Sequence, residues 1–154
     1  MAGESIQAKL LSSEFYASAE SIFVYVSMPE EPSTRRIIAD ALAKGKRVYV
    51  PKCAGKTMLA VRILGMDELI PGKLGIPEPV MTDETKTAAD IDLIITPCVA
   101  ASEDGRRLGH GGGYYDRFLQ QDRENTVCLC FRKLLCDDIP TDENDVRIKH
   151  IITE

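Results

Sequence analysis

Apolar positions along the chain follow two rhythms, one of period near four and one of short unbroken runs. Ile6, Leu10, Leu11 and Phe15 recur at helical spacing, which predicts a single amphipathic helix over residues 4–18 with Ala17 and Ala19 at its end. The run Ile22-Phe23-Val24-Tyr25-Val26 is β-branched and aromatic, the mark of a buried strand, and it enters the polar stretch 27–33. Ile37, Ile38, Ala41 and Leu42 then trace the apolar face of a helix, with Ser33 or Thr34 to cap its start and Gly45 to stop it. A strand over 47–51 completes a β-α-β unit. Such a unit implies a parallel pair, so the 27–33 loop should open at the carboxyl edge of a sheet, where open α/β folds bind ligands.

Downstream, residues 58–64 predict another strand and 66–70 a short segment. Residues 71–79 are too rich in proline and glycine for regular structure, and 83–89 suggest a helix or turn. Asp92-Leu93-Ile94-Ile95-Thr96-Pro97 is strand-like, and Tyr115, Phe118 and Leu119 stand at i, i+3 and i+4 of a helix. Residues 126–131 predict a strand, 132–136 a turn or short helix, and 149–153 a terminal strand. No repeat or linker interrupts this order. The expected fold is α/β: one domain over 1–154, built as a three-layer, Rossmann-like, open and mostly parallel sheet.

Length and charge narrow the picture. A chain of 154 residues buries roughly 70% of its unfolded surface, enough for one independent core. The net charge of −5 argues against a broad basic face for nucleic acid, but it allows local positive patches. Arg106, Arg107 and Arg117, with Lys52, Lys56 and Lys73 in earlier loops, are candidates for such a patch, and each is equally an ordinary solvated charge. The cysteines Cys53, Cys98, Cys128, Cys130 and Cys136 form no paired knuckles and are expected to be reduced. Cys128 and Cys130 are two apart in a strand, so they share a face and suit a core better than a zinc site. With two histidines in the chain, a histidine-rich metal site is excluded. The first residues do not read as a signal peptide, and no apolar run nears the ~20 residues that cross a bilayer, so a cytoplasmic monomer without membrane partner is expected.

The densest chemistry lies in Arg107-Leu108-Gly109-His110-Gly111-Gly112-Gly113-Tyr114-Tyr115-Asp116-Arg117. Glycines between a strand and a helix let the backbone approach phosphate oxygens, and the first N–H groups of the helix have no intrahelical partner. The same glycines also fit a plain surface turn. There is no Gly-Lys-Ser/Thr, and the dinucleotide-binding spacing is not met. Asp116, in the first helical turn, could hold a cation against an anion or merely complement the helix dipole.

Residues 107–117 resemble the signature of the 5-formyltetrahydrofolate cyclo-ligase family, Arg-Leu-Gly-x-Gly-x-Gly-Tyr-Tyr-Asp. The resemblance continues in Ser27-Met28-Pro29-Glu30-Glu31 with Thr34, in Gly45-Lys46 before the strand ending at Pro51, in Gly75-Ile76-Pro77-Glu78-Pro79, in 92–97, in Glu143-Asn144-Asp145 and in Ile152-Thr153-Glu154. It implies ATP- and Mg²⁺-dependent closure of 5-formyltetrahydrofolate to 5,10-methenyltetrahydrofolate, with release of ADP and phosphate. By motif position, Arg107, Leu108, Gly109, His110, Gly111, Gly112, Gly113, Tyr114 and Tyr115 would contact ATP. Gly111, Gly112, Gly113 and Tyr114 would also border the folate, together with Val26, Met28, Glu31, Met58 and Ile76. Glu31, Arg107 and Tyr115 would carry the catalytic roles, and Asp116 and Asp145 would hold Mg²⁺. His110 falls at a variable position of the motif and reads as a backbone contributor.

The match also departs from the family's pattern. The longer amino-terminal helix with a Lys and an Arg is not seen, and Lys9 is too near the first strand to stand in for them. Ala101 and Ser102 replace the Phe and Asp of Phe-Asp-x-x-Gly, Leu74 replaces a frequent aromatic, and Leu134 a frequent glutamine. These departures leave open a catalytically impaired folate- or nucleotide-binding protein of the same fold. A phosphate-ester-binding domain of another class would need an acid-base pair that the sequence does not offer.

Overall fold

The computed structural model describes residues 2–72, 77–80, 84–97, 100–101, 107–108, 113–136 and 146–154. The chain opens with α1 (Ala2–Leu11), α2 (Glu14–Ser18), β1 (Ser21–Val24), α3 (Arg35–Ala43), β2 (Arg47–Ala54) and β3 (Thr57–Ile63). It continues through β4 (Leu69–Pro71), β5 (Pro77–Pro79), β6 (Thr85–Lys86), β7 (Leu93–Thr96), β8 (Ala100–Ala101) and β9 (Arg107–Leu108). Helix α4 (Tyr114–Leu119), β10 (Arg123–Leu129) and β11 (Ile148–Ile152) follow, with 3-10 turns at Met66–Glu68, Ala88–Asp90 and Arg132–Leu134.

Seven strands form one sheet in the order β11-β10-β7-β1-β2-β3-β6. The five from β11 to β2 are parallel, and β3 turns back against β2 as an antiparallel hairpin, with β6 antiparallel to it in turn. Every residue of β1 and β7 is buried, as expected of parallel strands covered on both faces. Alternate side chains divide two cores. Ile22, Val24, Val48, Val50, Leu93, Ile95, Val127 and Leu129 meet Ile6 and Leu10 of α1, Tyr16 of α2 and Ile37 and Ile38 of α3 on one face. Phe23, Tyr49, Ile94, Cys128 and Cys130 point to the other, under α4 and the Ala88–Asp90 turn. This is the three-layer, mostly parallel architecture that the sequence predicts.

Three local expectations need correction, and a fourth, the cap of α3, narrows to one of its two candidates. The single helix over 4–18 is two, because Ser12 and Ser13 donate their hydroxyls to the carbonyls of Lys9 and Leu10 while Ser13 Oγ accepts the Tyr16 N–H at 3.3 Å. Those serines therefore end one helix and cap the next. At α3 the cap is not Thr34, whose hydroxyl donates to the Tyr25 carbonyl; Ser33 Oγ accepts from the Arg35 N–H and Gln7 Oε1, from α1, accepts from the Arg36 N–H. Within the supposedly irregular 71–79, Pro77–Pro79 pairs antiparallel with Leu69–Pro71, its central Ile70 and Glu78 opposed. In the 83–89 stretch, where a helix or turn was expected, Thr85–Lys86 is a strand on β3 and the 3-10 turn lies at Ala88–Asp90. The stop at Gly45 holds: its φ is +76°, and Gly45 and Lys46 donate to the Leu42 and Ala41 carbonyls as a left-handed helix terminus requires.

Candidate functional site

The loop that leaves β1 is fixed by its own polar atoms. Tyr25 donates its hydroxyl to the Pro32 carbonyl and Thr34 donates to the Tyr25 carbonyl, both at 2.7 Å, while the Thr34 N–H reaches Ser27 Oγ at 3.2 Å. Inside this frame, Glu31 Oε1 accepts the Met28 N–H at 2.8 Å and the Glu31 N–H donates to the Met28 carbonyl at 3.0 Å. Glu31 is thus held at the carboxyl end of β1 in one orientation, half-buried, beside half-buried Met28. Val26 is 3% exposed and packs in the core beneath α1–α3.

A second wall comes from α4. Gly113 precedes it at φ +67°, a left-handed backbone that favours glycine, and the Arg117 guanidinium folds over it with Nη1 2.9 Å from where a Cβ would stand. Tyr114 donates its hydroxyl to the Gly55 carbonyl and Arg117 donates Nε–H to the Lys56 carbonyl, both at 2.9 Å. The Arg117 guanidinium sits 5.1 Å from the Tyr114 ring centroid. The start of α4 is therefore pinned to the β2–β3 turn at the carboxyl end of β2. Beneath it, Phe23 meets Tyr115 edge-on at 6.1 Å and Phe118 at 4.8 Å, with Met58 buried in the same cluster.

Asp116 is half-buried on α4, and its Oδ1 accepts the backbone N–H of Val146 at 3.2 Å. Val146 directly follows Asp145 in the chain, so Asp116 binds the backbone next to the other residue the motif marks for a metal. The carboxylate's remaining oxygen is a hard donor, and one or two carboxylates with phosphate and water are what Mg²⁺ takes. Among the described residues no group of three or more His, Cys, Asp or Glu comes together.

Arg107 and Leu108 form β9, paired with Ala101 and Ala100 of β8. Gly109, His110, Gly111, Gly112 and Asp145 lie outside the described residues, as do Ile76, Lys73, Leu74, Ser102 and Arg106. One proposed patch member has other employment: Lys52 pairs with Glu78 at 3.2 Å, whereas Lys56 engages Arg117 only through its backbone carbonyl. Lys9 donates to the Thr153 carbonyl at 2.8 Å, which ties the two ends of the chain together. Cys128 and Cys130 are buried in one cluster, as their spacing predicts, and Cys53, Cys128, Cys130 and Cys136 are in no disulfide. Sequence reasoning missed the Gly55-Lys56 turn as the dock for α4; its signal is a glycine between two β-type runs.

The family model described as the 5-formyltetrahydrofolate cyclo-ligase family matches residues 2–154. The 5-formyltetrahydrofolate cyclo-ligase of Mus musculus is 31% identical over 95% of this chain and 79% of its own length. That of Escherichia coli strain K12 is 28% identical over 98% of this chain and 87% of its own. Among solved structures, the Aquifex aeolicus 5,10-methenyltetrahydrofolate synthetase superposes with a TM-score of 0.82 at 27% identity, covering 97% of this chain and 76% of that one. The Mycoplasma pneumoniae 5,10-methenyltetrahydrofolate synthetase shares the fold with a TM-score of 0.74 at 21% identity, over 99% of this chain and 84% of that one.

Proposed function

This chain belongs to the 5-formyltetrahydrofolate cyclo-ligase family, and from that premise we propose that it closes 5-formyltetrahydrofolate to 5,10-methenyltetrahydrofolate with ATP. The formyl oxygen attacks the γ-phosphorus, ADP departs, N10 adds to the activated formyl carbon, and phosphate leaves as the methenyl bridge forms. No protein nucleophile takes part. The protein's task is alignment and charge compensation, the main terms in phosphoryl transfer.

The observation that carries this reading is the tie of Gly113, Tyr114 and Arg117 to the β2–β3 turn, which sets the end of the glycine motif at the carboxyl edge of the sheet. Glu31, held through Met28, would accept hydrogen bonds from the reduced pterin, with Met28 and Met58 against its faces. Arg107, Leu108, Gly109, His110, Gly111, Gly112, Gly113, Tyr114 and Tyr115 would line the phosphates. Asp116 and Asp145 would hold Mg²⁺, which when bound neutralises developing charge on the transferred phosphoryl group. The unbridged Cys53, Cys128, Cys130 and Cys136 are consistent with a reducing compartment, and we place this activity in the cytoplasm.

The test is spectroscopic. Purified protein with 5-formyltetrahydrofolate, ATP and Mg²⁺ should develop the methenyl absorbance, and chelating Mg²⁺ should stop it. Saturable binding of folate and ATP without any absorbance change at micromolar enzyme would overturn the proposal in favour of a binding protein.

A further inference from the structure

A cleft of about 170 Å³ opens between the start of β3, the end of β6 and α4. Met58 and Phe118 are among the side chains that line it, and Lys86, Thr87 and Arg117 stand around them. It is smaller than the ~300 Å³ at which drug-sized pockets begin, so it suits a fragment the size of one amino-acid residue, not a pterin or a nucleotide. Its charge is one-sided. None of its lining residues is acidic, two are cations, and this in a chain of net charge −5.

Among the described residues neither cation meets a carboxylate. The Lys86 side chain has no hydrogen-bond or ion-pair partner among them, unlike Lys52, Lys44 and Lys149, each of which has a carboxylate within 3.2 Å. Arg117 is oriented from two sides, by the Lys56 carbonyl on Nε and by the Tyr114 ring, and among the described residues no carboxylate touches its guanidinium. The Thr87 hydroxyl is directed to Asp90, and the Thr57 hydroxyl and Gln120 amide stand beside the two cations, which carry the only charges among the cleft's described lining residues. Fixed guanidinium and mobile ammonium facing one apolar-floored space are a receptor for carboxylate.

We infer that this cleft receives the glutamyl carboxylates of the folate substrate, with Lys86 and Arg117 as residues that set affinity for that tail. The inference rests on the folate reading above, since Met58 belongs both to this cleft and to the proposed folate-lining set. It extends that reading to an element, β6, that carries none of the motif residues. Phosphate oxygens share the anionic chemistry, and the experiment separates the two sources.

Lys86→Gln removes an exposed charge with no structural partner, so it should fold normally. In a titration followed by NMR, p-aminobenzoylglutamate should bind the wild-type protein and lose roughly tenfold affinity in K86Q, with Lys86→Arg restoring it. p-Aminobenzoate, which lacks the glutamyl group, should not distinguish the variants. In turnover, K86Q should raise KM for 5-formyltetrahydrofolate about tenfold, more weakly at high salt, while kcat and the KM for ATP stay within about twofold. Equal binding of p-aminobenzoylglutamate to wild type and K86Q overturns the inference, and so does a rise confined to the KM for ATP, which would assign the cations to phosphate. If the wild-type protein gives no methenyl product at all, the proposed function fails, and the fragment titration still decides the cleft.

Discussion

The two ends of the parallel strands treat their polar side chains in opposite ways. At the amino end Asp92, Ser21, Lys46 and Tyr16 close on the protein itself. Asp92 Oδ2 accepts the N–H groups of Glu20 and Ser21 at 2.9 and 3.2 Å, and Ser21 Oγ accepts the Asp92 N–H in return. Lys46 donates to the Ala19 carbonyl at 2.6 Å, and buried Tyr16 donates to Asp40 Oδ2 at the same distance. Around the carboxyl end, Glu31, Tyr114 and Arg117 are oriented by bonds to backbone while charged atoms of Arg117 and Lys86 face open space. One end is a brace for the sheet, the other a set of side chains oriented toward the cleft and the end of the glycine motif. Changes at the first should cost stability, and changes at the second should cost affinity or turnover.

The largest effect expected is at Asp116. Asn at this position still accepts the Val146 N–H, so Asp116→Asn should unfold within about 1 kcal/mol of wild type while turnover falls by roughly 10²–10³, the scale of losing one aimed electrostatic group. Paired urea melts and steady-state rates check it; matching losses in both would make Asp116 a structural residue. Asp92→Ala should show the reverse, a loss of about 2 kcal/mol because two N–H groups at the sheet's edge lose their acceptor, with KM for both substrates unchanged in the protein that remains folded. Glu31→Gln keeps an acceptor for Met28, so it should weaken folate use about tenfold and leave ATP affinity intact. Equal losses for both ligands would remove Glu31 from the folate site.

The smallest effect is a pH signature of the brace. Burial first, and then the hydrogen bond to Asp40, raise the Tyr16 hydroxyl pKa far above its usual value; the Tyr16 hydroxyl is in turn the main cause that lowers the Asp40 carboxyl. For Asp40, whose folded pKa is depressed, the stabilisation is present above the unfolded value of about 3.9 and is lost as pH falls through the folded one. For Tyr16, whose folded pKa is raised, it is complete below the unfolded value of about 10 and is lost as pH climbs beyond it. Tyr16→Phe should therefore differ from wild type by about 1 kcal/mol near neutrality, with the gap narrowing below about pH 4 and above about pH 10. A gap that is constant across this range would mean that the contact contributes no charge coupling.

What could be read from the sequence follows the same division. The sheet was legible because Ile22-Phe23-Val24 and Leu93-Ile94-Ile95 are buried on both faces, and such runs need no tertiary partner to announce a strand. The break between α1 and α2 was hidden because the apolar spacing runs unbroken through Ser12 and Ser13 to Phe15, although the serines were themselves the caps. β5 was missed because Pro77 and Pro79 have no N–H to give, and propensity cannot foresee a ribbon that pairs through Ile70 and Glu78. The glycine motif was legible as chemistry, but its dock was not: Tyr114 meets Gly55, and Arg117 meets Lys56, across chain separations of 59 and 61 residues that no local pattern encodes. The Lys86–Arg117 cleft was invisible for the same reason.

The claim at the centre of this account is that the aimed groups align a formyl oxygen with the γ-phosphorus. Turnover of 5-formyltetrahydrofolate labelled with ¹⁸O in the formyl group, with the released phosphate analysed by mass spectrometry, tests it directly. One ¹⁸O per phosphate, with one ADP per methenyl formed, is the predicted result. Phosphate that carries only solvent or ATP oxygen would contradict it.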